Sequence, residues 1–249
     1  MKNTYTILFL CSFIIMLSSY SPVVSQPITA NVVGAKVGKQ NKKGAEYRSG
    51  YEFDEANSEV DHGFTDRIDL FYNVVDDIQF RVFFNRFVPN EGDSKFTSVF
   101  IEPAFQIFNS KQHGFNGTIL TGLTITNGED KPNQGRMIIV GAVPYKKFEF
   151  RHNSILAHQF GTNAETGVRY ETRWRITYQM IKKLRLGVEM FNNFLNMSQG
   201  QSFDQGSHRA GLMMEGKVTD EFGFQLGTLA GMSEQAPDLA VKLWLNYVF

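Results

Sequence analysis

The sequence predicts an all-β fold, an antiparallel up-and-down transmembrane β-barrel of about 12 strands, with about 10–14 strands possible. Three observations predict it. Segments of about 8–14 residues alternate between apolar and polar side chains. Their connections alternate between long and short, and the chain ends inside an alternating segment, "VKLWLNYVF". A last strand of this kind must be tied down, because free chain ends fray.

The amino terminus predicts a secretory signal peptide that covers residues 1–25. Lys2 supplies a positive charge ahead of an apolar run at residues 7–17, which is too short to span a bilayer as a helix. Small residues follow, so we expect cleavage near residues 25–26. The single cysteine, Cys11, would leave with this peptide, and a mature chain without cysteine suits an oxidising compartment.

The composition argues against two other classes of protein. Basic and acidic residues each number 25, so the chain has no net charge and no nucleic-acid partner is expected. Mean hydropathy is −0.24, which argues against a bundle of membrane helices. The 23 phenylalanines favour strands, and the 22 glycines suit turns and close backbone approach.

Twelve segments alternate strongly enough to be predicted as strands. They lie near 45–53, 67–75, 78–88, 97–108, 113–126, 137–144, 147–159, 166–180, 184–195, 207–217, 221–231 and 239–249. Residues 45–249 are therefore expected to form the barrel. Residues 26–44 are expected to be an N-terminal segment that either hangs in the periplasm or folds into the lumen as a plug.

The connections between the predicted strands alternate in length. The long ones cover 54–66, 89–95, 127–136, 161–166, 196–206 and 232–238, and the short ones lie around 76–77, 109–112, 144–147, 181–183 and 218–220. Long loops on one side and short turns on the other are typical of outer-membrane barrels. An even strand count places both chain ends on the short-turn, periplasmic side.

The charged residues indicate which face of each strand points inward. In "VRYETRWRITYQM" (168–180), one face is aromatic and aliphatic, and the other carries Arg169, Glu171, Arg173 and Arg175. An Arg on the lipid face at mid-depth costs about 2–4 kcal/mol, so this row is expected to line the lumen. A soluble barrel or sandwich would also alternate. Strands of about eleven residues, tilted near 40°, instead match a lipid band about 25 Å tall.

The same facing rule predicts a lumen lined by both charges. The predicted solute path consists of Arg81, Glu102, Glu149, Arg151, Arg169, Glu171, Arg173, Arg175, Arg185, Glu189, Arg209 and Glu215, and Arg48, Arg67, Lys217, Lys242, Glu46, Glu52 and Asp69 are also expected to point inward. A barrel of this size leaves room for a narrow pore, so a porin-like channel for small polar or charged solutes is the leading hypothesis. The alternative is a non-conducting structural or surface-binding barrel, whose lumen is closed by salt bridges.

A lipid-facing hydrolase is a third hypothesis, although no enzyme activity is expected. His152 and Ser154 share a strand face with Phe148 and Phe150, so both should meet lipid. This His-x-Ser pair resembles that of outer-membrane phospholipase A. A serine hydrolase also needs a third group that orients the base. The phospholipase pattern has Asn soon after the Ser, and the next residue here is Ile155. Two polar residues at the membrane rim are the simpler interpretation.

The first long loop is acidic. Asp54, Glu55, Glu59, Asp61 and His62 could hold a divalent cation shared with lipopolysaccharide. A solvated loop is the favoured interpretation, so neither a metal site nor a cofactor is predicted. Outer-membrane lipid and lipopolysaccharide are the expected surroundings.

The chain end carries an assembly signal by resemblance. Leu245, Tyr247 and the terminal Phe249 alternate with other residues, and this pattern resembles the C-terminal signal of Gram-negative outer-membrane proteins. The resemblance implies delivery to the barrel-assembly machinery and a location in the outer membrane of a Gram-negative bacterium. The oligomeric state and the solute stay open.

Four stretches carry a closer resemblance. "HGFTDRIDLFYN" (62–73), "IEPAF" (101–105), "HRAGLMMEG" (208–216) and "APDLAVKLWLNYVF" (236–249) are similar to a group of uncharacterised outer-membrane barrels, with Phe64 in place of the Leu usual there. The resemblance spans most of the mature chain. It implies a fold and a location, and no activity.

Overall fold

The computed structural model describes residues 29–54, 62–89, 94–129, 131–197 and 203–249. The predicted signal peptide lies outside the described residues, as do three members of the acidic loop, Glu55, Glu59 and Asp61.

Within the described residues, twelve antiparallel strands form one closed barrel. They are β1 (Lys43–Phe53), β2 (Gly63–Val75), β3 (Ile78–Val88), β4 (Lys95–Phe108), β5 (Asn116–Thr126), β6 (Asn133–Tyr145), β7 (Phe148–Phe160), β8 (Arg169–Ile181), β9 (Leu184–Asn196), β10 (Ser207–Lys217), β11 (Phe222–Gly231) and β12 (Leu239–Val248). Each strand pairs with its neighbours in sequence, and β1 pairs with β12. The predicted up-and-down barrel of about 12 strands is confirmed.

Two strands begin earlier than predicted, because polar residues extend the backbone pairing between strands. β2 begins at Gly63, four residues early, and β6 begins at Asn133, also four residues early. Side-chain polarity loses its alternation there, but the backbone still pairs, as between Gly63 and Glu52. Before β5 a short helix, α1 (Ser110–His113), replaces the predicted strand start. The Asn109 side chain caps its N-terminus, and Gly114, with φ at 77°, ends it in the left-handed conformation.

The closing strand pair explains the alternating chain end. β1 and β12 pair continuously from Gly44 opposite Val248 to Phe53 opposite Leu239. The Phe249 N–H donates to the Lys43 carbonyl oxygen over 3.0 Å. The last residue is therefore bonded to the first strand, and the barrel has no open sheet edge.

The outer surface of the barrel is apolar and aromatic. Phe80, Ile176, Val188 and Leu212 are between 45% and 68% exposed in a chain that also buries many charged groups. This inverts the arrangement of a soluble protein and matches a wall that faces lipid. No helix among the described residues is long and apolar enough to cross a membrane.

The lumen contains residues 29–42. Val32, Ala35 and Val37 are at most 6% exposed. Ala35 and Val37 pack in one apolar cluster with inward-facing residues of β4 to β7, and Val32 packs with Phe191 of β9 in another. The core of the molecule is therefore this segment together with the inner wall around it.

Candidate functional site

The lumen segment, residues 29–42, is held by side chains of the inner wall. The Asn153 amide donates to the Val33 carbonyl oxygen over 3.1 Å and accepts the Val33 N–H over 2.6 Å. Gln106 accepts the Val37 N–H, and the Thr118 hydroxyl donates to the Ala35 carbonyl oxygen over 2.9 Å. The wall thereby satisfies backbone groups that would otherwise be buried without partners.

The direction of the lumen segment follows from its contacts. Its C-terminal end lies at the short-turn mouth, where Asp76 accepts the Gln40 N–H over 2.8 Å. Its N-terminal end reaches the opposite half, where Ala30 belongs to an apolar cluster with Leu229 and Ala240, near the long-loop ends of β11 and β12. The segment therefore runs along most of the lumen.

The Asp69 network gathers cations from the first three strands. The Asp69 carboxylate is fully buried and contacts Arg48 at 2.9 Å, Arg67 at 2.5 Å and Arg81 at 3.5 Å. Glu46 contacts Arg48 and Arg81 from the short-turn side. Charges buried in this way are tolerated because each has a partner.

An aromatic stack lies beside the Asp69 network. The Phe83 and Phe100 rings are stacked, with centroids 5.1 Å apart. The Arg67 guanidinium lies 3.7 Å over Phe83, and that of Arg136 lies 3.7 Å over Phe100. Arg136 also donates to Glu102 over 3.0 Å. Sequence reasoning missed Arg136 because it placed the start of β6 at residue 137, four residues too late.

The Glu189 network gathers cations on the other side of the lumen. The buried Glu189 carboxylate contacts Arg175 at 2.9 Å and forms an ion pair with Lys242. Arg175 also contacts Glu215 at 3.1 Å, and it donates to the Asn31 side chain over 2.8 Å. The network therefore connects β8, β9, β10 and β12 to the lumen segment.

The remaining residues of the predicted solute path also lie on the inner wall in ion pairs. Arg209 contacts Glu52 at 2.7 Å, Arg173 contacts Glu171 at 2.9 Å, Arg185 contacts Glu149 at 3.6 Å, Arg151 pairs with Glu149 and Arg169 pairs with Glu165. Each of these charges therefore has a partner of opposite sign. Their role in solute passage remains a proposal.

Two cavities flank the lumen segment. The larger, about 520 Å³, is bounded by β7 to β12 and β1 and reaches the short-turn residues Lys182 and Lys183. The smaller, about 210 Å³, is bounded by β1 to β5 and includes Arg48 and Arg81 in its wall. Asn31 and Gly34 line both. Space for small molecules therefore remains on both sides of the segment.

The His-x-Ser pair belongs to a row of polar side chains on the lipid face. His152 Nε2 lies 2.8 Å from Ser154 Oγ. Ser154 pairs across strands with Thr172, whose hydroxyl accepts from Asn192 over 3.1 Å, and Asn192 lies 3.0 Å from the His208 ring. The sequence could not reveal this row, because its members lie far apart along the chain.

This row is not a complete hydrolase triad. Within the described part of the chain, no side chain forms a hydrogen bond with His152 Nδ1. The pair therefore lacks the carboxylate or amide side chain that orients the base in a serine triad. The row satisfies polar side chains on the lipid-facing wall, where unpaired groups are costly.

The acidic loop is described only at its ends. Tyr51 Oη lies 2.8 Å from His62 Nδ1, and Asp54 is buried. No group of three metal-ligating side chains occurs among residues 29–54, 62–89, 94–129, 131–197 and 203–249.

Comparison with known proteins identifies the fold. No protein-family model matches the chain, and no curated protein matches it. A solved structure described as the KdgM porin in complex with disordered oligogalacturonate aligns with a TM-score of 0.58 at 10% identity, covering 83% of this chain and 99% of that one. The NanC porin aligns with a TM-score of 0.56 at 8% identity, covering 82% and 98%. The fold is thus the closed up-and-down β-barrel that these two structures also have, and the predicted outer-membrane location agrees with the lipid-facing belt.

Proposed function

We propose that this protein is a narrow porin-like channel for small polar or charged solutes, in which residues 29–42 limit the open area of the lumen. The observation that carries the proposal is the pair of cavities on the two sides of this segment, which share Asn31 and Gly34. Their walls carry both charges, and a lumen lined by charged side chains conducts small ions and solutes when it stays hydrated.

The lumen segment explains why the conductance should be small. It fills the axis of a barrel that lies between the filled eight-stranded and the open sixteen-stranded types. Solutes would pass beside it, along walls where most charges are already paired. We therefore expect small, discrete conductance steps and a weak dependence on membrane voltage.

The test is single-channel recording with a labelled cysteine. Gly34 suits the label because a Cβ at this position meets no atom within 4 Å. In Gly34→Cys, a charged methanethiosulfonate reagent should reduce the conductance and change the ion selectivity. Gly141→Cys is the matched control, since Gly141 also has open space around it and pairs with the lipid-facing His152. Its modification should leave the current unchanged.

A second candidate is a non-conducting barrel with a structural role. It is favoured by the hydrogen bonds that tie Val33 and Val37 to the wall, and by the burial of the Asp69 and Glu189 networks. A correctly folded mature protein that shows no conductance steps, with or without reagent at Gly34→Cys, would contradict the channel and support this alternative.

A further inference from the structure

We propose that the larger cavity is a binding site for small anions that carry carboxylate or phosphate groups, which enter from the short-turn side. This cavity is called the basic vestibule below. Six cationic residues and two anionic residues line it. The cations are Arg151, Arg175, Lys182, Lys183, Arg185 and Lys217, and the anions are Glu46 and Glu215. The inference rests on the proposed function only in requiring that solutes reach the lumen.

The deeper charges of the basic vestibule are already neutralised. Arg175 is held by Glu189 and Glu215, and Arg151 pairs with Glu149. These groups line the deep part of the cavity, and their charges largely cancel. They therefore do not supply the attraction for an anion by themselves.

The mouth of the basic vestibule is different, because its cations are weakly paired. Arg185 has a contact of 3.6 Å with Glu149, and Lys183 has one of 4.0 Å with Asp220. Lys217 donates to the Asp220 carbonyl oxygen over 3.3 Å, and Lys182 has no ion pair within the described residues. These four side chains retain donors for a ligand, so the mouth attracts anions.

The rest of the wall suits a polar organic ligand. Gln179, Gln225 and Asn246 present side-chain amides, and Trp244 presents ring surface. The buried Trp244 indole N–H has no hydrogen-bond partner among the described residues. A volume of about 520 Å³ lies within the range of pockets that hold small molecules. Carboxylate or phosphate groups would bind the mouth cations, and the remaining polar atoms would meet the amides.

Trp244 also provides a direct readout that does not need a current. The chain has two tryptophans, and Trp174 lies on the lipid face. In a Trp174→Phe protein, refolded in detergent, the fluorescence therefore reports on the basic vestibule alone. Citrate and inorganic phosphate are the probes, which separates carboxylate from phosphate recognition, and glucose is the uncharged control at the same ionic strength.

We expect a saturable fluorescence change with at least one of the two anions and none with glucose. Replacing Lys182, Lys183 and Arg185 together by Gln should weaken the apparent affinity about tenfold or more, since hydrogen bonds to charged groups contribute strongly. Lys146→Gln with Lys147→Gln is the matched control. These lysines occupy the neighbouring short turn, do not line the cavity, and should leave the affinity unchanged.

The outcomes separate this inference from the proposed channel. No saturable response to either anion, or an equal response in the neutralised variant, overturns the binding site even if the barrel conducts. Saturable binding by a barrel without conductance steps supports the site and overturns the channel.

Discussion

Both sides of the lumen carry buried ion pairs, but the two sides are filled differently. On the side of β2 to β6, the aromatic side, Phe83 and Phe100 fill the space between the arginines, and the cavity is about 210 Å³. On the side of β8 to β12, the glycine side, the cavity is about 520 Å³. There Gly227 lies opposite Lys242, and a Cβ at Gly227 would come 2.8 Å from Lys242 Cε. The comparison teaches that ion pairing stabilises both sides, while side-chain volume decides where space remains in the lumen.

The largest expected effect tests whether ion pairing is equal on both sides. Asp69→Asn and Glu189→Gln should each lower the free energy of unfolding by about 3–5 kcal/mol, because each leaves a buried cation, Arg67 or Lys242, without a carboxylate. Urea unfolding of the refolded barrel in lipid vesicles measures both. Glu149→Gln removes a partly exposed carboxylate and should cost less, about 1 kcal/mol. A large difference between the free energies of unfolding lost in Asp69→Asn and Glu189→Gln would show that ion pairing does not stabilise the two sides alike.

The second prediction concerns the filling of the aromatic side. Phe83→Ala should lower the free energy of unfolding by about 3 kcal/mol, since it removes a fully buried ring that contacts Phe100 and the Arg67 guanidinium. It should also raise the single-channel conductance, because the freed volume faces the lumen. Phe80→Ala, on the lipid face, is the control and should leave the conductance at the parent value. An unchanged conductance in Phe83→Ala would show that volume on this side does not limit passage.

The third prediction concerns the space on the glycine side. Gly227→Ala should cost about 1–3 kcal/mol, because the added methyl group forces the Lys242 stem away from its position beside Glu189. Gly141→Ala is the control, since its Cβ meets no atom within 4 Å. Thermal unfolding followed by heat-modifiable gel mobility compares the two. Equal mobility transitions would mean that Gly227 does not serve the Glu189 network.

The smallest expected effect on stability concerns the lumen segment between the two sides. Asn153→Ala removes both hydrogen bonds to the Val33 backbone and should cost about 1–2 kcal/mol. The weaker docking should increase the frequency of larger conductance steps, recorded in a planar bilayer. His152→Ala, one residue away on the lipid face, should not change that frequency. If both variants behave alike, Asn153 does not hold the segment.

The alternating pattern at the chain end predicted that the last strand closes the barrel, but it did not predict which charges pair. The alternation up to Phe249 predicted a closing strand, and the β1–β12 register confirms it. The partner of each inward charge was not predictable in the same way. Glu189 on β9 and Lys242 on β12 are 53 residues apart, and they meet across the two strands between them, β10 and β11. Residues on different strands can be matched only once the register is known.

The inner face of β6 shows where a facing rule fails. Ile138, Val140 and Ala142 are buried inside the lumen, against the cluster that contains Ala35 and Val37. Alternation alone would assign such an apolar row to lipid. It cannot distinguish an apolar face covered by lipid from one covered by another segment of the same chain, because both bury the same kind of surface.

The sequence by itself predicted a barrel of about 12 strands, its alternating long loops and short turns, its closing strand and an inward direction for the charges. These features follow from a period of two and from the high cost of a charge in lipid, and both act locally along each strand. Only the tertiary structure decided which charges pair, how residues 29–42 lie in the lumen, and where space remains. These depend on strand register and side-chain volume across the barrel, which no single segment of the sequence contains.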